Sequence, residues 1–366
     1  MFERRLISHV DWVLFGAVLA IAGFGLAMIY STTFDVIRGT IGPQFWTQLY
    51  AVGLGLFALL ICLVVDYRRL AERSLAIYIA LALLLLYVLL FGVTAGGARR
   101  WINLGVFNLQ PSEFAKIALA LTVAMFFAEN RHGAREVRDL LFAAGFLLVF
   151  AVLIAREPDL GTAVTLVPIF LGIAFVAGLR TRFLAWLIVL ALVAAPVAWA
   201  FALKDYQKSR IETFLDPEKD AQGAGYQQIQ ARITVGSGGL TGKGYMQGTQ
   251  GQFKFLPVAH NDFIYSVLAE ELGFVGVLVT LGLYLLVIVR ALDAAKLAKD
   301  RLGAYLVVGL VSGFSFQVIY NITMSAGLAP VKGLTLPLMS YGGSSMIATL
   351  ASFGLILNVR MRRFTN

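Results

Sequence analysis

The sequence predicts an all-α polytopic membrane protein with about ten transmembrane helices, both termini in the cytoplasm and one long extracytoplasmic loop. Of its 366 residues, 59% are hydrophobic and only 14% are charged, whereas a soluble domain carries about 25% charged residues. Apolar runs long enough to cross a bilayer recur along the chain, and the polar interval 204–262 separates the seventh from the eighth. We therefore expect residues 1–366 to form a single integral membrane domain.

The charge balance does not indicate a nucleic-acid-binding protein. The chain has 30 Lys and Arg against 21 Asp and Glu, but the basic residues lie scattered between apolar runs rather than in one patch, so membrane topology explains the excess. Cys62 is the only cysteine, and the three histidines show no ligand spacing. No nucleotide and no organic cofactor are indicated.

Ten apolar runs are candidate spans, since each approaches the length that a bilayer requires. They are Trp12–Tyr30, Trp46–Val65, Leu75–Thr94, Phe114–Ala128, Leu140–Ala155, Leu160–Leu179, Phe183–Leu203, Phe263–Arg290, Leu302–Met324 and Tyr341–Val359. The first has no small-residue cleavage site after it, which favours a retained helix over a signal peptide. No internal repeat supports the inverted-repeat design of many transporters.

The basic residues of the connections predict the orientation. The N-terminus, the even-numbered connections and the tail are rich in them, at Arg4, Arg5, Arg68, Arg69, Arg73, Arg131, Arg135, Arg138, Arg180, Arg182, Lys296, Lys299, Arg301, Arg360, Arg362 and Arg363. The short odd-numbered connections hold fewer, at Arg38, Arg99, Arg100 and Lys332. By the positive-inside rule both termini are cytoplasmic, and the loop 204–262 lies outside because long loops translocate largely regardless of charge.

The outer connections gather acids, bases and glycines at one membrane face, and ionisable groups at membrane depth are functional candidates. In the second connection, Pro111 begins a helix, Ser112 fits an N-cap, and Glu113 with Lys116 forms an i,i+3 pair. Glu113 fits a structural and a functional role equally well. Lys116 lies a turn deeper, where a buried ion pair and an anion site are both open, and we favour the anion site.

The third connection and the long loop hold further candidates. Asp159, after Pro158, has the pattern of an N-cap for the next span. The glycine-rich run 236–244 lacks the spacing of a phosphate-binding P-loop. We interpret it as a flexible, amide-rich segment in which Lys243 can approach a phosphate or a sugar.

Asp262 is the acid of greatest interest because it stands where the long loop meets the next apolar run. Its pattern fits an N-cap about as well as it fits a general base at the water–membrane boundary, kept ionised by nearby cations. Glu270 and Glu271 lie further into the helix. Two roles stay open for them, pairing with a base of the loop or capping a polar cavity.

Several ordered motifs together resemble one family. They are GARRWI at 97–102, QPSE at 110–113 with Lys116, PDLGT at 158–162, FLDPEKD and GAGYQ around Phe214 and Tyr226, GSGGLTGKG at 236–244, FLPVAHNDFIYSVLAEELG at 255–273 and PLMSYGGS at 337–344. With these motifs the chain is identified as a member of the SEDS family (shape, elongation, division and sporulation). The short termini and the DYQKSRIETFLDPEKD segment are similar to the RodA branch rather than to the FtsW branch.

The resemblance implies a ten-helix peptidoglycan glycosyltransferase of the bacterial cytoplasmic membrane, which polymerises lipid II at the outer face for cell elongation. It implies a class B penicillin-binding protein as partner, with other membrane proteins of the elongation complex. It makes Asp262 the catalytic residue. The substrate-binding candidates are Arg100, Trp101, Glu113, Lys116, Asp159, Arg210, Lys243, Thr249 and Ser344. A divalent cation, Mg or Mn, stays open, with Asp262 as a candidate ligand.

The residues suggest a mechanism for this activity and leave two other classes of function open. Asp262 would deprotonate an acceptor hydroxyl, while Lys116, Arg100 and Arg210 would bind the departing diphosphate. A lipid II flippase or transporter would instead place charges at mid-membrane and on both faces. A non-catalytic scaffold of the elongation machinery would use the loops only for recruitment.

Overall fold

The protein is described from a computed structural model that covers residues 9–364, apart from gaps at 36–37, 96–97, 104, 106–107, 131–132, 221–222, 253–254 and 258 and most of 184–204. Within this part of the chain, nine apolar helices correspond to nine of the ten predicted spans. The seventh predicted span, Phe183–Leu203, lies largely outside the described residues. The predicted all-α polytopic fold is confirmed.

The secondary structure is dominated by helices. They are α1 (Trp12–Thr33), α2 (Pro43–Val64), α3 (Tyr67–Glu72), α4 (Ser74–Phe91), α5 (Pro111–Glu129), α6 (Val137–Arg156), α7 (Leu160–Val176), α8 (Asp205–Leu215), α9 (Ala224–Ser237), α10 (Thr249–Gln252), α11 (Ile264–Lys296), α12 (Arg301–Ser325) and α13 (Gly343–Met361). The strands are β1 (Phe34–Asp35), β2 (Thr40–Ile41), β3 (Val93–Ala95), β4 (Ala98–Asn103) and β5 (Asn108–Leu109). Short 3-10 turns lie at Gly133–Arg135, Pro217–Asp220 and Arg362–Phe364.

The bundle has an apolar exterior and a central pair of mostly buried helices. Eight helices are long and apolar enough to cross a membrane among the residues described, and α7 is a shorter apolar helix. Most residues of α5 and α13 are buried inside the protein, whereas few residues of α4 and α6 are buried. The exposed side chains of the outer helices include Leu83, Leu141 and Leu285, each more than 60% exposed. Such a surface needs lipid as its solvent.

Ion pairs close one end of the bundle. Asp11, just before α1, binds Arg290 of α11 at 2.8 Å and also Arg360 of α13. Asp300, before α12, accepts a 2.8 Å hydrogen bond from Nε of Arg68 in α3. The first and last described helices, α1 and α13, therefore have their N-terminal and C-terminal ends, respectively, at this arginine-rich face, which the positive-inside rule assigns to the cytoplasm.

The opposite end carries the strands and the long loop. The antiparallel strands β3, β4 and β5 form a small sheet, in which Val93 pairs with Trp101 and Ile102 pairs with Leu109. The predicted long loop 204–262 contains three helices, α8, α9 and α10. A polar connection can fold in this way because amphipathic segments such as α9 pack against α11.

A break in α11 anchors the glycine-rich run of the loop. Gly273 interrupts the helix with φ 66° and ψ −164°, a conformation that glycine adopts without steric cost. The freed backbone N–H of Phe274 donates to Gly239 O at 2.9 Å, and Lys243 N donates to Glu270 O at 3.0 Å. A Cβ on Gly242 would collide with the backbone of α11. The expectation of a flexible glycine-rich segment is therefore wrong, because backbone groups of the segment form hydrogen bonds with the backbone groups of α11 that the break leaves unpaired.

Candidate functional site

A pocket of about 930 Å³ opens among the helix ends opposite the arginine-rich face. Its walls come from the N-terminal ends of α5, α7, α11 and α13, from β4 and α8, and from the connection between α12 and α13. The volume lies in the range of small-molecule sites. Among the predicted site residues, those that line it are Arg100, Trp101, Glu113, Asp159, Arg210, Asp262 and Ser344.

Asp262 is not the N-cap of α11, so that alternative is wrong. The helix begins at Ile264 with Phe263 as its N-cap and no side-chain cap. The main chain of Asp262 is held by Asn321, whose Nδ2 donates to Asp262 O at 2.9 Å. Its carboxylate forms no hydrogen bond with any of the described residues. The side chain is therefore placed in the pocket without a structural partner of its own.

The electrostatic surroundings of Asp262 suit a base. Burial raises the pKa of its carboxyl to about 6, while the positive charges of Arg210 and Arg100 oppose that rise. A carboxylate with a pKa near 6 is ionised at neutral pH and is a stronger base than an exposed aspartate. Asp262 can therefore accept a proton in the pocket.

Asp159 stands on the facing wall and organises the ends of two helices. As predicted, it caps α7, since Oδ1 accepts from Thr162 N at 3.2 Å. Its Oδ2 accepts from Gln110 Nε2 at 2.7 Å, and Arg100 lies 3.7 Å from Oδ1. The predicted N-cap role of Ser112 is wrong, because Gln110 precedes the first residue of α5 and Ser112 turns its hydroxyl toward Asp159 at 3.4 Å.

Lys116 forms the buried ion pair that the sequence left as an alternative to an anion site. Its Nζ donates to Glu113 Oε2 at 2.8 Å and to Gln317 Oε1 at 3.2 Å. Glu113 and Gln317 line the pocket, and Lys116 lies beneath them, beside a narrow internal cavity of about 30 Å³. In this arrangement Lys116 reaches the pocket only through the carboxylate that it holds in place.

Ser344 and Trp101 both line the pocket, and their substrate-binding role stays a prediction. Ser344 Oγ accepts a 2.8 Å hydrogen bond from Gln110 N and donates to Asn108 O at 3.3 Å. These bonds join the end of β5 to the start of α13. Ser344 therefore connects two parts of the pocket wall and also lines the pocket. Trp101 is half-buried on β4, next to Arg100.

Lys243 and Thr249 do not line the pocket, and their role as substrate-binding residues stays a prediction. Lys243 Nζ donates to Glu270 Oε1 at 2.6 Å, and Thr249 Oγ1 donates to the same oxygen at 3.1 Å. Glu270 thus pairs with a base of the loop, one of its two open roles. Glu271 accepts a hydrogen bond from Ser31 of α1. The residues that make these contacts are far apart in the sequence, so no local sequence pattern reveals them.

The pocket gives limited support to a metal. Within the part of the chain that the structure describes, no three His, Cys, Asp or Glu side chains lie close enough together to hold a metal ion. A hard cation such as Mg²⁺ is commonly bound by one or two carboxylates together with substrate phosphates. The protein alone does not build a cation site among these residues, and the predicted Mg or Mn stays a prediction.

Sequence reasoning missed two residues that shape the site. Lys332, between α12 and α13, lines the pocket. The signal was present in the sequence, since a lysine in a short outer connection runs against the positive-inside rule. Asn321 in α12 was hidden among apolar residues, yet its Nδ2 bridges Asp262 O and Leu334 O.

Comparison with known proteins identifies the family. Residues 11–364 match the family model of the FtsW, RodA and SpoVE proteins, described as "Cell cycle protein". The chain belongs to this family. Its match runs from the residue before α1 to the last turn after α13, so it includes every wall of the pocket.

Named relatives and solved structures are similar over nearly their whole length. The peptidoglycan glycosyltransferase MrdB of Escherichia coli K12 is 37% identical, with 97% of this chain and 94% of the relative covered. The probable peptidoglycan glycosyltransferase FtsW of Geobacter metallireducens is 36% identical over 97% and 96%. A chain from a study of how a peptidoglycan synthase complex coordinates polymerization and crosslinking superposes with TM-score 0.85, 35% identity and coverage of 98% and 99%. The crystal structure of Thermus thermophilus RodA gives TM-score 0.72, 32% identity and coverage of 98% of each chain.

Proposed function

We propose that this chain is a peptidoglycan glycosyltransferase that polymerises lipid II at the outer face of the bacterial cytoplasmic membrane during cell elongation. The observation that carries the proposal is the position of Asp262, a half-buried carboxylate without a hydrogen-bond partner among the described residues, in a pocket that also holds Arg100 and Arg210. Relatives named peptidoglycan glycosyltransferase, which match nearly the whole chain, support the same reaction.

Asp262 acts as the general base in the proposed reaction. Its carboxylate takes the proton of the acceptor sugar hydroxyl as that oxygen forms a bond to the anomeric carbon of the donor. The bond between that carbon and the diphosphate oxygen breaks, and the electron pair leaves on the diphosphate. Attack opposite the leaving group inverts the anomeric configuration, and the proton on Asp262 passes to water. With a pKa of about 6, Asp262 is ionised before the step.

Cations of the pocket stabilise the charge that develops on the leaving group. Arg210 is exposed on α8 at the rim, whereas Arg100 is partly buried on β4 and lies 3.7 Å from Asp159. Fixed positive charges in a partly desolvated pocket stabilise a departing diphosphate more strongly than water does. The hydrophobic exterior of the bundle lets the lipid tails of the substrates stay in the bilayer while the head groups enter the pocket.

The proposed setting follows from membrane topology and from the structural neighbours. The positive-inside rule places the pocket outside the cytoplasm, where lipid-linked sugars are polymerised. The solved chain from a peptidoglycan synthase complex supports a class B penicillin-binding protein as the partner that cross-links the product. Other membrane proteins of the elongation machinery would join this pair.

Reconstitution tests the function directly. Purified chain and its class B partner are incubated with fluorescent lipid II, and polymer is separated by gel electrophoresis. We expect glycan strands from the wild type and none from Asp262→Ala, which should still bind lipid II. Polymer from Asp262→Ala at the wild-type rate would overturn the role of Asp262.

The same preparation distinguishes the other two classes. In liposomes, movement of labelled lipid II between leaflets without polymer would indicate a flippase. Neither polymer nor movement, together with retained binding to the partner, would indicate a scaffold.

A further inference from the structure

Lys332 lines the pocket without a carboxylate partner among the described residues, in contrast to Lys116. Lys116 has a carboxylate partner at 2.8 Å and an amide partner at 3.2 Å. Lys332 lines the pocket and forms no ion pair with any carboxylate of the described residues. Its Nζ lies 5.7 Å from the centre of the Tyr320 ring, a cation–π contact that orients the side chain but leaves its charge uncompensated.

The connection that carries Lys332 is held rigidly next to Asp262. Tyr320 Oη donates to Pro330 O at 2.8 Å, and Asn321 Nδ2 donates to Leu334 O at 2.7 Å, so both ends of the turn are fixed to α12. The second bond comes from the amide that also holds Asp262 O. Gly333 has φ 67°, and a Cβ at that position would lie 3.7 Å from the Asp262 carboxylate. The backbone after Lys332 therefore approaches the proposed base closely.

Arg210 and Lys332 are two cations that line the same pocket. Burial lowers the pKa of Lys332, and the nearby positive charge of Arg210 lowers it further. Arg210 also acts on the pKa of Asp262, so its guanidinium lies within electrostatic range of both side chains. Arg210 forms no ion pair with a carboxylate of the residues described. Two cations that face one pocket, one half-buried and one exposed at the rim, repel each other, and a bound anion relieves that repulsion.

We infer that Lys332 and Arg210 together bind the diphosphate of the lipid-linked substrate, with Lys332 as an additional substrate-binding residue. This inference rests on the proposed function, whose substrate supplies the diphosphate. A diphosphate has several oxygens to accept hydrogen bonds from both an ammonium and a guanidinium. Lys116 then has a positioning role, in which it holds Glu113 at the base of the pocket.

The first test measures binding of inorganic diphosphate to the full chain in detergent by titration calorimetry, apart from any catalysis. Lys332→Met keeps the apolar stem on Tyr320 and removes the charge, and it should weaken the affinity about tenfold, because hydrogen bonds to charged groups are the strong ones. Lys332→Arg keeps the charge and should stay within about threefold of the wild type.

Lys219→Met is the matched control, since Lys219 lies in the loop 204–262 near Arg210 in sequence, has a side chain that is 77% exposed and does not line the pocket. It should leave the diphosphate affinity unchanged. Equal affinity in Lys332→Met and the wild type would overturn the inference, and so would equal losses in Lys332→Met and Lys219→Met. A wild type that binds no diphosphate would overturn it as well.

The polymerisation assay separates this inference from the proposed function. Lys332→Met should raise the KM for lipid II about tenfold, with the greater part of the effect in binding. If the wild type polymerises lipid II and Lys332→Met has an unchanged KM, the inference fails and the function stands. If the wild type makes no polymer while diphosphate still binds through Lys332, the function fails and the anion site stands.

Discussion

Asp262 and Glu270 are two carboxylates at the beginning of α11, and they have opposite surroundings. Glu270 is fully buried, and its oxygens accept hydrogen bonds from Lys243 Nζ at 2.6 Å, Thr249 Oγ1 at 3.1 Å and Gln250 N at 3.1 Å. Asp262 faces the pocket, forms no side-chain hydrogen bond among the described residues and has cations only within electrostatic range.

The difference in surroundings indicates a structural role for Glu270 and a chemical role for Asp262. A buried carboxylate whose oxygens already accept hydrogen bonds from a cation and several donors is held in one position and faces no substrate. A half-buried carboxylate without donors has a raised pKa and can exchange a proton. We therefore expect changes at Asp262 to affect the reaction and changes at Glu270 to affect the fold.

The largest expected effect is on the rate of polymerisation in Asp262→Asn. The amide has nearly the same shape as the carboxylate but cannot take the proton, so the rate should fall by about 10²–10⁴-fold. Thermal unfolding in detergent should stay close to that of the wild type. Asp216→Asn, in the exposed end of the long loop, is the control that should keep full activity. If Asp262→Asn polymerised lipid II at more than one tenth of the wild-type rate, Asp262 would not be the general base.

The reverse pattern is expected for Glu270→Gln. Loss of the carboxylate leaves Lys243 without its partner, and breaking a buried pair of this kind costs about 3 kcal/mol of unfolding free energy. The double variant Lys243→Met, Glu270→Gln should unfold at a higher temperature than Glu270→Gln, because no unpaired charge remains. Thermal unfolding followed by tryptophan fluorescence measures both. A stable but inactive Glu270→Gln would assign this carboxylate to the chemistry instead.

The pH dependence of kcat/KM sharpens the comparison at Asp262. The base must be ionised, and its pKa is about 6, so activity should rise with pH to a plateau with a midpoint near 6. Below the midpoint the rate should fall about tenfold per pH unit. Arg210→Met removes a positive charge that lowers the pKa of Asp262, so it should move the midpoint to higher pH. A midpoint near 4 in the wild type would contradict the desolvated setting of Asp262.

The smallest effect is expected at a third carboxylate, Glu157, which follows α6. Its side chain is fully buried, and neither oxygen has a hydrogen-bond partner among the described residues. Burial and the charge of Asp159 raise its pKa from 4.5 to about 8, although Arg100 opposes the rise. Because the folded protein holds this proton more tightly than the unfolded chain does, stability should fall as pH rises from about 4.5 to 8.

Glu157→Gln tests that titration, because glutamine is neutral at every pH. Its melting temperature in detergent should exceed that of the wild type by a few degrees at pH 8 and be nearly equal at pH 5. The same difference at both pH values would show that Glu157 does not titrate in this range.

The order of the spans could be predicted because apolar length is a local property of the sequence. Nine of the ten spans correspond to described helices, and their ends shift by only a few residues. The cap at Asp159 was also predictable, since Asp before an apolar helix is a short-range signal. At Asp262 the same signal gave the wrong alternative, because α11 begins after Phe263 and the carboxylate turns to the pocket.

The parts of the site that were not predicted depend on contacts between distant segments. Lys243 pairs with Glu270 because Gly273 breaks α11 and exposes backbone groups to the loop, and no local pattern records that break. Lys116 was expected to bind an anion, but Gln317 and Glu113 enclose it. Pairing partners across a bundle follow from packing, whereas sequence spacing reports only neighbours along one helix.

The break at Gly273 also separates the site mechanically from the bilayer. Residues from Ile264 to Glu271 are all buried in protein, whereas Phe274 and Val275 are more than half exposed. An uninterrupted α11 would be about 50 Å long, and the part after the break, about 34 Å, matches the hydrocarbon thickness of about 30 Å. Protein contacts, rather than the bilayer, therefore hold the part of α11 before the break. We expect polymerisation to vary little with the acyl-chain length of the surrounding lipid.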